Sequence, residues 1–289
     1  MRSHIFPVLA GVLMVFSACS RPKPLVVGSK DTTEQKILAE IVAQHLEHHA
    51  GIEVRRQFGL GDTQVIYQAL ISGEIGLYPE YSEIAITDLL REIPSGDSGV
   101  IFERARLEMK RIALLEYLAP LGFDRKAVIA ISAAGHEGLV TASQAAANGA
   151  RWSLGITQDA QKRVTGLPAL NLYPFEMGAP TRTLKASELF PAMEEGMINL
   201  LLTTSSDGHL MSSKWKALED DKMVFPAAPV ALLVRDDVLA ADSKIKPALD
   251  QLAGKISLQE MRKMNAAVDL NDQFVENVAA DFLKSAGLN

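Results

Sequence analysis

The chain has 289 residues, of which 48% are hydrophobic, 22% charged and 6% aromatic, enough for one large or two ordinary globular lobes with a real core. A formal net charge of -6 at pH 7, with no long basic run, excludes a nucleic-acid surface, which needs clustered Lys and Arg. The single cysteine, Cys19, stands near the start, so neither a disulfide framework nor a cysteine nucleophile is available to a folded domain.

Arg2 and His4 precede an apolar run from Ile5 to Phe16, and Phe16-Ser17-Ala18-Cys19 closes it with small residues. The pattern predicts a signal peptide over residues 1–18 that ends in a lipobox, and the run is too short to be a good membrane span. The lipobox resembles those of bacterial lipoproteins, which implies that Cys19 becomes the acylated first residue of the mature chain. The alternative is an incidental thiol in a leader that is cleaved further along. Residues 19–24, with Arg21-Pro22-Lys23-Pro24, then form a short stiff tether, because proline favours extended backbone.

Leu25-Val26-Val27 reads as a buried strand, and Thr32 with Gln35 three residues later as a capping box opening a helix. Asp31 and Glu34 make a similar pair one residue earlier. Ile37, Leu38, Ile41, Val42 and Leu46 fall on one helical face, and Gly51 ends the helix. A strand over 52–57, the turn Gly59-Leu60-Gly61-Asp62-Thr63, a helix carrying Val65, Ile66, Ala69 and Leu70, a stop at Gly73 and a strand over 75–78 follow. This βαβαβ order predicts right-handed crossovers and a parallel sheet, with polar side chains and helix N-termini gathered at the strands' carboxyl ends, where such sheets bind small ligands.

The same rhythm returns: a strand over 126–132, a helix over 139–147, a strand over 152–156, a helix over 187–195 ended by Gly196, and a strand over 197–203. Two α/β lobes are expected, joined near 125–130 and again near 224–230. From Lys244 onward the pattern is helical, with breaks at Pro247, Gly254 and Ser257.

The phrases VVGSKDTTEQKILAE, GLGDTQVIYQALISGEIGLYPEY, YLAPLGF, SSDGHL, LEDDKMVFP and LAGKISLQEMRKMNAAVD, in that order, resemble the substrate-binding components of osmoprotectant ABC transporters, the glycine betaine, choline and carnitine group. The resemblance covers nearly all of the mature chain. It implies an α/β, two-lobed type II periplasmic-binding-protein fold, each lobe a mixed, mostly parallel sheet flanked by helices, with the ligand cleft between lobes. Residues 25–127 and 228–289 are expected to form lobe 1 and 128–227 lobe 2.

In that family a trimethylammonium head sits in a box of tyrosines, since a quaternary cation cannot donate hydrogen bonds and is held by ring faces. Tyr81 in Pro79-Glu80-Tyr81 matches the first of these rings. Ala127, Phe190 and Thr204 stand where the others align, so one tyrosine is kept, one ring is changed and two are lost. Such losses weaken a betaine-like ligand by roughly tenfold to a thousandfold at about 0.5 to 2 kcal/mol per contact. Phe190 and Tyr173 are candidates to rebuild a cage from other positions. Ser82-Glu83-Ile84 replaces the small hydroxyl-bearing residues that help hold a ligand carboxylate in the family. Lys30 matches the lysine of the family's GSK phrase, and Arg163 the arginine of its second-lobe loop; both suit an anionic group.

The candidate ligand-binding residues are therefore Lys30, Thr32, Gln35, Tyr81, Ser82, Arg163, Phe190 and Thr204. Five of them have a plainer reading. Thr32 and Gln35 serve as a helix cap in any case, Tyr81 suits a half-buried ring at a strand end, Lys30 and Arg163 suit surface ion pairs, and Asp207-Gly208 is a common turn pair. His45 and His49 share a helix face but lack a third metal ligand, which favours a solvated helix end; Glu219-Asp220-Asp221 lacks calcium-loop spacing and reads as a solvated turn. No metal and no cofactor is expected.

No G-x-S-x-G, H-E-x-x-H, Walker or G-x-G-x-x-G pattern occurs in a fitting context, so catalysis is not expected. The sequence predicts a lipid-anchored, monomeric solute-binding protein of the periplasm or cell surface that hands a small polar solute to an ABC permease and its ATPase. The membrane is reached through the lipid on Cys19, and nucleic acid is not a partner. The alternative is a ligand-binding sensor or interaction lipoprotein that feeds no importer.

Overall fold

The structure is a computed structural model that describes residues 24–288; the leader over 1–18, Cys19 and residues 20–23 of the tether lie outside them. In chain order the first lobe opens with β1 (Leu25–Gly28), α1 (Thr33–His49), β2 (Val54–Gln57), α2 (Thr63–Ser72) and β3 (Leu77–Tyr81). The local chemistry explains the boundaries. Asp62 caps α2 by accepting from the backbone N–H groups of Gln64 and Val65, and Gly73 ends it with φ +80°, a left-handed conformation that a side chain disfavours. β2 starts two residues later than the pattern suggests, and β3 runs on to Tyr81.

A short helix α3 (Ser82–Ile84) leads through a π-helical turn (Ala85–Leu89) to α4 (Ser98–Ala113), β4 (Leu115–Tyr117) and β5 (Asp124–Arg125). The second lobe contains β6 (Ala127–Ser132), α5 (Ala142–Ala147), β7 (Leu154–Ile156), α6 (Gln158–Lys162), α7 (Leu167–Leu170), β8 (Arg182–Thr183), α8 (Ala186–Glu194), β9 (Leu200–Thr204) and β10 (Trp215–Ala217). The chain returns through β11 (Ala228–Arg235) and finishes with α9 (Asp236–Ala241), α10 (Ile245–Asp250), α11 (Leu258–Asp269) and α12 (Val275–Ser285). Pro247 does not break this region: it sits in the first turn of α10, where its missing N–H would have no helical partner.

Among the described residues two sheets form, in the orders β2-β1-β3-β11-β4, with β5 also on β11, and β10-β6-β9-β7-β8. β1 lies parallel between β2 and β3, as the βαβαβ pattern predicts. The returning β11 pairs antiparallel with β3 from Leu77 to Tyr81, which is why β3 extends past the segment that reads as a strand. In the second sheet β7 is parallel to β8 and β9, while β6 runs antiparallel to β9 and β10. Each sheet is therefore mixed and buried on both faces. The first is covered by α1, α10, α11 and α12 on one side and by α2 and α4 on the other.

That packing corrects the reading of the histidines. α1 is covered by α10 and α12, so His45 is fully buried, its Nε2 2.9 Å from the Ala248 carbonyl oxygen, and His49 Nε2 reaches the Leu288 carbonyl oxygen at 3.0 Å. Burial pushes the His45 imidazole below its ordinary value. The acidic run also differs from a merely solvated turn. Asp220 accepts from the backbone N–H groups of Val224 and Phe225 and from the Tyr173 hydroxyl, which fixes the segment leading back to β11. Among the described residues no helix is long and apolar enough to cross a membrane.

Candidate functional site

The carboxyl ends of β1 and β3 converge with the start of α1. Directly after β1, Lys30 turns inward, and its Nζ lies 2.6 Å from Glu80 Oε1 in a pair almost wholly removed from water. Glu80 is held further by the Tyr78 hydroxyl at 3.0 Å and the Tyr81 backbone N–H at 2.7 Å. Burial lowers the Lys30 ammonium below its ordinary value, with Glu80 opposing the shift and the Arg163 charge reinforcing it. A buried charge survives only when it is paired and hydrogen-bonded in this way.

One residue further along β3, the Tyr81 hydroxyl donates to Glu34 Oε1 at 2.6 Å. The other oxygen of Glu34 accepts from Asn265 Nδ2 at 3.0 Å, and that amide also reaches the Ser206 carbonyl oxygen at 2.9 Å. Burial, with the Glu34 charge, pushes the Tyr81 hydroxyl well above its ordinary value. The Arg125 guanidinium carbon lies 4.3 Å from the Tyr81 ring centroid, and Lys30 Nζ lies 5.5 Å from it. Gln35, in the first turn of α1, is fully buried, and neither its Nε2 nor its Oε1 has a hydrogen-bond partner.

The second lobe meets this wall through the loop after α6. Arg163 grips Asp88 with two hydrogen bonds, Nε to Oδ1 at 3.2 Å and Nη2 to Oδ2 at 2.9 Å, and Thr165 donates to Glu83. Burial raises Asp88, but the hydrogen bond and charge of Arg163 outweigh it and hold the carboxyl below its ordinary value. Burial pushes Glu83 up against the opposing effects of Thr165 and Arg163. On the hinge side Arg262 Nε donates to the Ser205 carbonyl oxygen at 2.6 Å. Gly208 is required close by, since a Cβ there would stand 2.5 Å from the Ala266 backbone nitrogen. The expected Asp207-Gly208 turn is thus also the point where a second-lobe loop packs on α11.

The structure brings Lys30, Tyr81 and Arg163 into polar contacts on this wall, with the Gln35 amide buried beside Tyr81 but without a geometric hydrogen bond, and leaves the other sequence candidates outside. Thr32 is exposed and caps α1, accepting from the Gln35 backbone N–H at 3.4 Å. The Gln35 amide does not reach back to complete a capping box. Asp31 and Glu34 form no box either, since Asp31 pairs with Lys36 and Glu34 turns inward to Tyr81. Ser82 is buried and donates to the Pro229 carbonyl oxygen. Phe190 is a core ring of the second lobe, stacked on His209 at 4.1 Å and packed against Trp215. Tyr173 belongs to the core on the other face of that sheet. A cage rebuilt from Phe190 and Tyr173 is therefore not present.

Thr204 is half-buried, with its hydroxyl 3.4 Å from that of Ser206, and stands directly opposite Ala127 across the β6–β9 ladder. Ala127 lines a cavity of about 160 Å³ together with Lys126, Ser205, Phe225 and Arg262. A wider depression of about 490 Å³ lies at the outer edge of the second sheet, beside Met193 and Trp215. Neither is lined by Tyr81 or Gln35.

Sequence reasoning missed Glu34, Asp88, Arg125, Thr165, Ser206 and Asn265 as members of the network. Arg125 had a usable signal, because it lies in the Phe123-Asp124-Arg125-Lys126-Ala127 stretch that joins the lobes. Asp88 and Asn265 had none, since each finds its partner only through tertiary packing.

Two mixed sheets whose strand ends meet over a buried polar network, with ion pairing between the lobes, make up a two-lobed type II periplasmic-binding-protein fold. The chain belongs to the family described as the substrate binding domain of the ABC-type glycine betaine transport system, which it matches over residues 23–285. It is 29% identical over 292 residues to a Helicobacter pylori protein described as ergothioneine transport permease/ergothioneine binding protein EgtU, covering 98% of this chain and 52% of that one. It therefore spans about half the length of that relative. To the glycine betaine-binding protein YehZ of Escherichia coli it is 25% identical over 319 residues, covering 96% and 97% of the two chains. A crystal structure of a glycine betaine/carnitine/choline ABC transporter component superimposes with TM-score 0.80 at 23% identity, covering 91% of this chain and 99% of the other.

Proposed function

We propose that this protein captures a small polar solute between its lobes and delivers it to the permease of an ABC importer, from a position outside the cytoplasm and tethered by lipid on Cys19. Residues 25–127 with 228–289 act as one closing body and 128–227 as the other. The observation that carries the reading is the pair of contacts from Arg163 and Thr165 to Asp88 and Glu83, which join the lobes over a wall where Gln35 is buried with both amide atoms unpaired. An unpaired buried amide costs about 1–3 kcal/mol, and a bound solute supplies the missing partners. The ligands named for the relatives, glycine betaine, carnitine and ergothioneine, set the class: compact zwitterions that combine a fixed cation with a carboxylate.

The test is thermal unfolding of the purified chain against glycine betaine, carnitine, choline, ergothioneine and a panel of amino acids. A ligand that binds only the folded state adds about 2.7 kcal/mol at a hundredfold excess over Kd, an upward shift of roughly 4 to 5 °C for a chain of this size. Binding without turnover supports a carrier. A folded protein that answers no zwitterion overturns the assignment of class, and a co-purifying receptor in place of a permease overturns the importer.

A further inference from the structure

Tyr81 offers the ring on which a cationic ligand would be expected to rest, yet two cations of the chain already stand against it. Arg125 lies 4.3 Å and Lys30 5.5 Å from the ring centroid, both within the roughly 6 Å over which a ring face attracts a cation. The ring is 6% exposed, which leaves little of it for a third.

The two cations are not equivalent. Lys30 is committed to Glu80 at 2.6 Å. Arg125 has no such partner: its nearest carboxylate oxygen, Glu34 Oε1, lies 3.9 Å from Nε, beyond hydrogen-bond range. Both oxygens of Glu34 are already engaged, one by the Tyr81 hydroxyl and the other by Asn265. Pairing of Arg125 with Ala228 across the β5–β11 ladder fixes its backbone, and the guanidinium carbon stands 4.3 Å from the ring centroid. Its N–H fork is left uncommitted among the described residues, beside the ring whose hydroxyl end the Gln35 side chain neighbours.

We propose that Arg125 is a specificity-determining residue: its guanidinium, seated on Tyr81, takes the place of a ligand's fixed cation and presents its N–H fork to an acceptor. The polarity of this wall is thereby inverted. It selects solutes that offer a carboxylate here and disfavours a quaternary ammonium that has none, because a planar fork matches a carboxylate with two parallel hydrogen bonds while a second cation on the ring meets repulsion. The inference rests on the reading of this cleft as the solute site.

Isothermal titration of the purified chain, of Arg125→Ala and of Arg125→Lys, each with choline, glycine betaine and carnitine, tests it. Choline carries the cation without a carboxylate and is expected to bind the unaltered chain at least tenfold more weakly than the better of the two zwitterions. Arg125→Ala should gain at least tenfold for choline and lose at least tenfold for the zwitterions. Arg125→Lys keeps the charge without the fork, so it should lose the zwitterions and still reject choline, which decides the matter even if the alanine variant folds poorly. Zwitterion binding with the same preference in all three proteins overturns the role of Arg125 and leaves the binding-protein reading standing. Failure of all three folded proteins to bind any of the compounds overturns both.

Discussion

The two walls of the cleft dispose of charge in opposite ways. On the first-lobe wall Lys30, Glu34 and Glu80 are each at most 8% exposed and are locked to one another's neighbours through Tyr78, Tyr81 and Asn265. Apart from the buried Ser206, the second-lobe wall offers half-buried groups: Arg163, Thr165 and the hydroxyl of Thr204, each with one or two partners. A wall of buried, multiply bonded charges is rigid, since moving any one of them leaves another unpaired in a medium of low dielectric. The opposing wall can part from it at the cost of a few partly hydrated contacts. Under the proposed function, this contrast places ligand chemistry on the first lobe and closure on the second.

The sharpest way to break that contrast is Lys30→Ala. It leaves Glu80, 0% exposed, without its cation, and loss of one partner of a buried pair costs about 3–5 kcal/mol, to be read as a lower urea midpoint. Lys30→Met combined with Glu80→Gln should restore most of that stability, because neither charge then remains buried. If the single variant loses less than about 1 kcal/mol, the range of a surface pair, the first wall is no more rigid than the second.

Gln35→Leu sharpens the same comparison in the opposite direction. Removing both unpaired amide atoms in favour of an apolar group of similar size should stabilise the ligand-free protein by about 1–3 kcal/mol and abolish solute binding. Calorimetric unfolding and a titration on the same sample read both effects. A residue that served only as a helix cap would show neither, since the cap is made by the Thr32 hydroxyl and the Gln35 backbone.

Arg163→Ala addresses the closing wall. With both side chains partly hydrated, the pair contributes at most about 1 kcal/mol, so unfolding should hardly change while small-angle scattering reports a more open average shape. The effect depends on pH in a defined direction. Asp88 titrates below its ordinary 3.8 in the folded chain, so the pair's contribution is fully present above about that pH and is lost as the pH falls through the lower folded value. Acidification through that lower value, well below pH 3.8, should therefore open the unaltered chain and leave Arg163→Ala unmoved.

What could be read without the fold follows from range. The apolar face of α1, the Asp62 cap, the left-handed stop at Gly73 and the parallel order of β1, β2 and β3 depend on neighbours within a turn or a crossover, and the sequence carries those directly. Phe190 shows the limit. An aromatic residue on an amphipathic helix suits a ligand cage and a hydrophobic core equally well, and only the position of His209 and Trp215 decides for the core. Gln35 shows it again, because residue type predicts a helix cap while its side chain is buried and completes no capping box. Asp88 finds Arg163 from 75 residues away, and no local pattern encodes such a pair. The kept tyrosine is legible in the sequence, and so is the place of Arg125 between the lobes; that its guanidinium stands on the ring is not.

The smallest effect tests whether the second wall is as simple as it looks. Thr204 sits opposite Ala127 at the end of β9, and its hydroxyl has one distant partner, Ser206, at 3.4 Å. Thr204→Val keeps the branched shape that suits a strand and deletes only that hydroxyl. Stability should change by less than about 0.5 kcal/mol, as for substitutions away from caps, cores and buried networks. A loss above about 2 kcal/mol would mean that the hydroxyl anchors a network as closed as the one around Glu80. The two walls would then be equally rigid, and closure would have to come from the hinge strands at Arg125 and Ala228 alone.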